Sequence, residues 1–324
     1  MSLPNIGSTF GSTIPLSSTY VVACLLSIAL YNFIELNFLL FLTFKRRTGL
    51  YFWSFLIATW GIAIYSVGFL LRDFLRFSSL TYLYVTMIIL GWSSMVTGQS
   101  LVLYSRLHLI VRNRIILRLV LAMIVLDAII LHIPTTVLCF GANSPDSNQF
   151  DLPYSVFERV QVTIFFVQES LISGLYMYQT AKLMYGGGAL NQIHGEAGRA
   201  LMVHLILMNV IVVLLDTTIL VLAFTGRYAS QTAAKGFIYS VKLKVEFEIL
   251  NRLVKLARHT SDTSSHLEYG VSDPSAGSNG QGEGAQSNGE VKHRRRHSCP
   301  WKVFTTKVKN EVAGPAGPEM RQSL

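Results

Sequence analysis

Four carboxylates stand in stretches of sequence that are otherwise apolar: Glu35, Asp127, Glu169 and Asp216. None has a Lys or Arg partner within its own apolar run. A carboxylate in such surroundings must be protonated, hydrogen-bonded or paired with a cation from another element. Amides accompany them. Asn32 and Asn37 flank Glu35, Gln168 adjoins Glu169 and repeats Gln161 at a spacing of seven, and Asn209 precedes Asp216 by seven. Three chemistries fit: a proton or cation path, a counter-ion for an amine ligand, or structural hydrogen bonding between helices. Residue type alone leaves all three open. The cations that could answer these acids are Lys242 and Lys244, in "FIYSVKLKVEFEILNRLVKLAR" (237–258).

A second polar feature is a set of hydroxyls, Thr86, Ser93, Thr97, Ser100 and Tyr104, at successive spacings of 7, 4, 3 and 4. That spacing puts all five on one helical face. The face reads either as a packing surface, where small hydroxyl residues let helices approach, or as the wall of a polar cavity open to a small ligand. Ser94 and Gly98 form a small-xxx-small pair that favours packing.

Enzymatic constellations are missing from the sequence. His108, His132 and His204 fall in separate segments with no His-x-x-x-His pair, so no metal site is expected. Asp127 and His132 are five residues apart, roughly 140° around a helix, and do not converge. "GGG" at 186–188 lacks a following Gly-Lys-Ser/Thr and reads as a flexible loop rather than a phosphate cradle. No catalytic residue, cofactor or nucleic-acid partner is expected.

The elements that carry these residues are long apolar runs at about 20–44, 49–71, 80–105, 115–140, 157–183 and 200–225. Each is long enough to cross about 30 Å of hydrocarbon. Only 14% of residues are charged and 51% are hydrophobic, against about 25% charged in soluble domains. Open strands cannot satisfy their backbone in lipid, so the expected fold is an all-α polytopic bundle whose first partner is the lipid bilayer. The first run has no charge before it and no cleavage site after it, and reads as a span rather than a signal peptide.

Residues 237–258 pose the topological question. At 100° per residue, Lys244, Glu248, Asn251, Arg252 and Lys255 gather on one side, with Lys242 and Glu246 roughly opposite. A surface helix would keep one clean apolar face. The polar groups on two sides instead predict a seventh span over about 233–252, held by the bundle and poorly inserting alone. The alternation in "VKLKVEFEI" also fits a strand, but no second strand edge is available for it.

Charge sets the expected orientation. Residues 1–19 are uncharged and Lys45, Arg46 and Arg47 follow the first run directly. Arg106, Arg112, Arg114 and Arg118, then Lys182 and Arg199, fall in odd-numbered loops; Arg72, Arg76, Arg159, Arg227 and Lys235 fall in even ones. Positive charge stays cytosolic, so the short amino-terminal segment 1–19 is expected outside or in a lumen, before a membrane domain at 20–256. "GANSPDSNQFDLPYSVFE" reads as an ordered outer loop. Residues 257–324 are expected to form a cytosolic tail, Gly/Ser/Asn-rich and disordered at first, then basic in "KHRRRHSCPWKVFTTKVK". "RRHS" makes Ser298 a candidate for a cytosolic basophilic kinase, and Cys299 is a candidate for palmitoylation. Three cysteines exclude a disulfide framework, and no glycosylation sequon is present.

"YNFIELNFLLFLTFKRRTGLYFWS", "GQSLVLYSRLHLI" and "KGFIYSVKLKVEFEILNRLVKLA" resemble a family of fungal seven-helix integral membrane proteins of unknown function, over about residues 20–256. The resemblance implies a membrane domain loosely similar to receptor-like proteins. It implies no reaction, ligand or site residue. Rhodopsin-type receptors fit poorly, since "YSRLH" has Arg106 without an acid before it and no Asn-Pro-x-x-Tyr occurs. Microbial retinal proteins fit poorly too, because Ile238 and Ser240 stand four residues before the two lysines. The residues favour a receptor-like or sensory protein with a polar cavity and a regulated tail. A proton- or ion-coupled transporter and a ligand-free membrane scaffold are the other readings.

Overall fold

The computed structural model of the protein describes residues 16–44, 49–75, 81–111, 113–144, 149–185, 188–225 and 228–269. Among these the secondary structure is helical, with no strand. The α-helices are α1 (Leu16–Thr43), α2 (Leu50–Leu70), α3 (Thr81–Ile110), α4 (Arg114–Ala142), α5 (Asp151–Tyr185), α6 (Gly188–Phe224) and α7 (Tyr228–Tyr269), with a wider π turn, Leu71–Leu75, ending α2. The alternating "VKLKVEFEI" is therefore helical. Ser298, Cys299 and the segments 1–15 and 270–324 lie outside the described residues.

α1 to α6 are each long and apolar enough to cross a membrane. Their outward faces are greasy: Phe38 on α1, Trp53 and Trp60 on α2, Leu126, Ile129, Ile130 and Ile133 on α4, and Leu214 on α6 are all exposed. Surfaces of that size are not left facing water by a soluble monomer, so the protein is a membrane helix bundle. α7 carries Lys235, Lys242, Lys244, Glu246 and Glu248 along its length, yet its residues 231–250 are mostly buried. Ala233, Ile238, Leu243, Phe247, Ile249 and Leu250 are core residues, and Lys242 and Glu246 are 0% exposed.

Side-chain pairings fix the directions. Asn32 meets Ser240 and Glu35 meets Lys244, so α1 runs parallel to α7. On α2, Tyr51 donates to the Glu246 carbonyl at 3.4 Å and Tyr65 to that of Thr232 at 3.0 Å, so α2 runs antiparallel. On α5, Glu158 and Glu169 pair with Lys235 and Lys242 in the same order; on α6, Asp216 pairs with Lys242. Residues 231–246 of α7 thus lie alongside the apolar stretches of α1, α2, α5 and α6.

The closest packing joins α2 to α3. A Cβ on Gly61 would stand 2.5 Å from the Met95 backbone nitrogen, and one on Gly98 would stand 2.8 Å from the Ala58 Cα. Gly98 does serve close approach, and its contact is Ala58.

Several boundaries differ from the sequence reading for local reasons. Asn113 caps α4, its side chain accepting from the Ile115 N–H at 2.9 Å. That leaves a short connection and puts Arg106 within α3 instead of a loop. The "GANSPDSNQFDLPYSVFE" segment is helical from Asp151, because Pro153 is tolerated in a first helical turn. Lys182 belongs to α5, Arg199 to α6 and Lys235 to α7. These charges sit on helices, and Arg106 and Lys235 are buried.

Candidate functional site: a buried ionic column on α7

Three ionic layers lie along α7, each joining it to other helices. In the first, Lys235 meets Glu158 of α5 at 2.6 Å, and Gln231 donates to the same carboxylate at 3.1 Å. In the second, the Lys242 ammonium binds both Glu169 of α5 and Asp216 of α6, and lies 4.7 Å from the centre of the Tyr239 ring. In the third, Glu246 meets Arg106 of α3 at 2.5 Å. Arg106 also donates to the Asn209 side-chain oxygen at 2.6 Å and lies 4.3 Å from the Tyr176 ring centre. Asn209 in turn donates to the Ser173 carbonyl at 3.0 Å.

Helical periodicity builds the column. Lys235, Lys242 and Glu246 are spaced 7 and 4, one face of α7. Glu158 and Glu169 are eleven apart, three turns of α5, and Asn209 and Asp216 are seven apart on α6. Lys235 to Glu246 is a rise of about 16 Å, roughly half the thickness of a bilayer core.

The buried charges do not balance. Among the described residues four acids are buried (Glu158, Glu169, Asp216, Glu246) against three cations (Arg106, Lys235, Lys242). The excess negative charge falls on the middle layer, where one ammonium serves two carboxylates. Glu169 Oε1 and Asp216 Oδ2 are both buried without a hydrogen-bond partner. Both residues line a cavity of about 20 Å³, whose walls are otherwise apolar or aromatic save for Lys235. A second cavity of about 30 Å³ reaches Glu158, Gln161 and Tyr154, sharing Trp92 and Lys235 with the first. Spaces of this size admit about one or two waters, not a drug-sized ligand.

The residues singled out in sequence divide between this column and its surroundings. Glu169, Asp216 and Lys242 meet in its middle layer. Glu35 and Lys244 pair at 2.7 Å on a half-exposed seam between α1 and α7, outside the column. Asp127 is half-buried on α4, and no ion pair reaches it among the described residues. The α3 hydroxyls bind neighbouring helices more than they line a cavity. Thr97 is 2.8 Å from His132 of α4, and Ser100 accepts from Gln168 of α5 at 2.9 Å. Ser93 is half-buried, Tyr104 is buried beside His108, and Thr86 is exposed and bonded to the Tyr82 carbonyl within its own helix.

Sequence reading missed the outer two layers. Arg106 and Lys235 read as loop charges, and Glu158 and Glu246 were not among the site candidates. The 7 and 4 spacing of Lys235, Lys242 and Glu246 was the available signal. Gln99, seven residues before Arg106, was also missed; it is fully buried with both amide atoms unpartnered.

Residues 12–265 match the model of a family described as Domain of unknown function (DUF7703). No curated protein and no solved structure matches the chain. The matched stretch holds every residue of the ionic column and most of the chain, so the chain belongs to the DUF7703 family.

Proposed function

We propose that the protein is a receptor-like or sensory membrane protein of seven spans, with its amino terminus external or lumenal and its tail cytosolic, in which α7 is the element that changes position. One observation carries this reading: every interhelical ion pair among the described residues ends on α7, with partners on α1, α3, α5 and α6. Buried ion pairs are a poor source of stability, since apolar residues of similar volume often do as well. Concentrating them on one helix makes sense for an element held in one arrangement and released into another. The side-by-side pairing of α7 with α1 and α2 supports the seventh crossing. The basic tail with Ser298 and Cys299 is the part we assign to a cytosolic kinase or signalling partner and to the inner leaflet.

The second reading, a proton- or ion-coupled transporter, is favoured by the stacking of three ionic layers along one helix. The experiment that separates a moving α7 from a rigid scaffold is a spin-label distance measurement in nanodiscs. Labels go on Arg114→Cys and Asn251→Cys, in a background without the native cysteines. Glu246→Gln should broaden the distance distribution or add a second population. An unchanged single distance, with folded protein, would count against α7 as the switch.

A further inference from the structure

We infer that the Glu169–Asp216–Lys242 layer is a binding site for one proton. The inference rests on the sensory reading and names the ligand of its central site. One ammonium cannot neutralise two carboxylates, and the column as a whole is one cation short among the described residues. Each carboxylate gives one oxygen to Lys242 and keeps the other, Glu169 Oε1 or Asp216 Oδ2, buried and unpartnered at the cavity they both line. Two ionised carboxylates on one ammonium in an apolar wall leave a net charge that the interior solvates poorly. A proton on either free oxygen removes that charge. The bond formed is one carboxyl O–H, the bond broken is the O–H of the hydronium ion that delivers the proton and leaves as water, and there is no oxidation or reduction.

The surroundings favour a proton over a metal cation. The facing groups from every packed element are few. α7 supplies Lys242, Tyr239, Lys235 and Glu246; α3 supplies Arg106, which sits on Glu246; α5 supplies Glu158 through Lys235; α2 supplies Tyr65. α4 brings His132, beyond the Trp92 and Phe165 rings, and Cys139, which lines the second cavity with Glu158. A hard metal cation seeks six or so oxygens, whereas the cavity offers two free carboxylate oxygens among Trp92, Val96, Val162, Phe165, Phe166 and Ile219. The second cavity shares Trp92 and Lys235 with the first and reaches Glu158 and Tyr154, near the start of α5. In the proposed topology that end is external, so the site would report external acidity to α7.

The test is infrared difference spectroscopy of the full chain in nanodiscs, titrated with pH in an Asp127→Asn background so that the α4 acid does not contribute. The wild-type column should show one protonated-carboxyl C=O band at neutral pH, lost on alkaline titration. Glu169→Gln and Asp216→Asn should each abolish it, because the remaining carboxylate then has Lys242 to itself. Lys242→Met should double it. No band at neutral pH, or a band that survives in both acid variants, overturns the site. A band that sodium removes at constant pH overturns the proton assignment in favour of a metal cation. If neither acid variant folds, the alkaline titration of the wild-type band and its doubling in Lys242→Met decide alone. Sidedness is separable from this readout. A cytosolic tail without a band sinks the site and leaves the seven-span reading, while a band with an external tail does the reverse.

Discussion

Replacing Lys242 by Met tests the energetics of the column most sharply. Met matches the length of the lysine stem and deletes the one ammonium that binds both Glu169 and Asp216, all three residues being at most 4% exposed. Removing one partner of a buried ion pair costs about 3–5 kcal/mol, because the other charge is left uncompensated. Roughly three powers of ten in the folding equilibrium are at stake. The variant carrying Glu169→Gln and Asp216→Asn as well has no buried charge left in that layer and should recover most of the loss, as neutral replacements of whole buried pairs do. The assay is reversible unfolding by SDS in mixed micelles, followed by circular dichroism. The reasoning fails if Lys242→Met costs less than about 1 kcal/mol, or if the triple variant is as unstable as the single one.

Other consequences follow from the same geometry. Arg106→Lys keeps the charge but cannot bind Asn209 and Glu246 together while lying on Tyr176; about 2 kcal/mol of stability should be lost in the same unfolding assay. Glu158→Gln and Lys235→Met should couple in a double-mutant cycle by about 1–3 kcal/mol, whereas either change should be additive with Gly61→Ala. Gly61→Ala places a methyl 2.5 Å from the Met95 backbone nitrogen, so α2 and α3 must move apart. A loss of about 1–3 kcal/mol is expected, read as a lower midpoint of thermal unfolding.

The helices were legible because apolar length dominates membrane insertion. The six apolar runs correspond to α1–α6, and the ends were misjudged where Asn113 and Pro153 act locally. The middle layer was partly legible. Glu169 and Asp216 stand out in apolar sequence, and Lys242 is the nearest thing to an intramembrane cation. Their convergence was not legible, because it depends on α5, α6 and α7 meeting at one depth, which no single periodicity encodes. Arg106 and Lys235 were misplaced for a physical reason. Charge at the end of an apolar run looks interfacial, and only a partner on another helix, Glu246 or Glu158, turns it inward. The α3 hydroxyls show the opposite error of emphasis. Their shared face is real, but His132 and Gln168 occupy it.

The measurement that bears most directly on a charged α7 held inside the bundle is sidedness. One epitope follows Leu324 and another is inserted between Gly226 and Arg227, just before α7; protease accessibility is then read in sealed cells or, for an endomembrane protein, sealed vesicles. The account predicts opposite sides, with the tail cytosolic and the inserted epitope external or lumenal. Both epitopes on the same side would mean that α7 does not cross, and the ionic column could not be the centre of a seven-span switch.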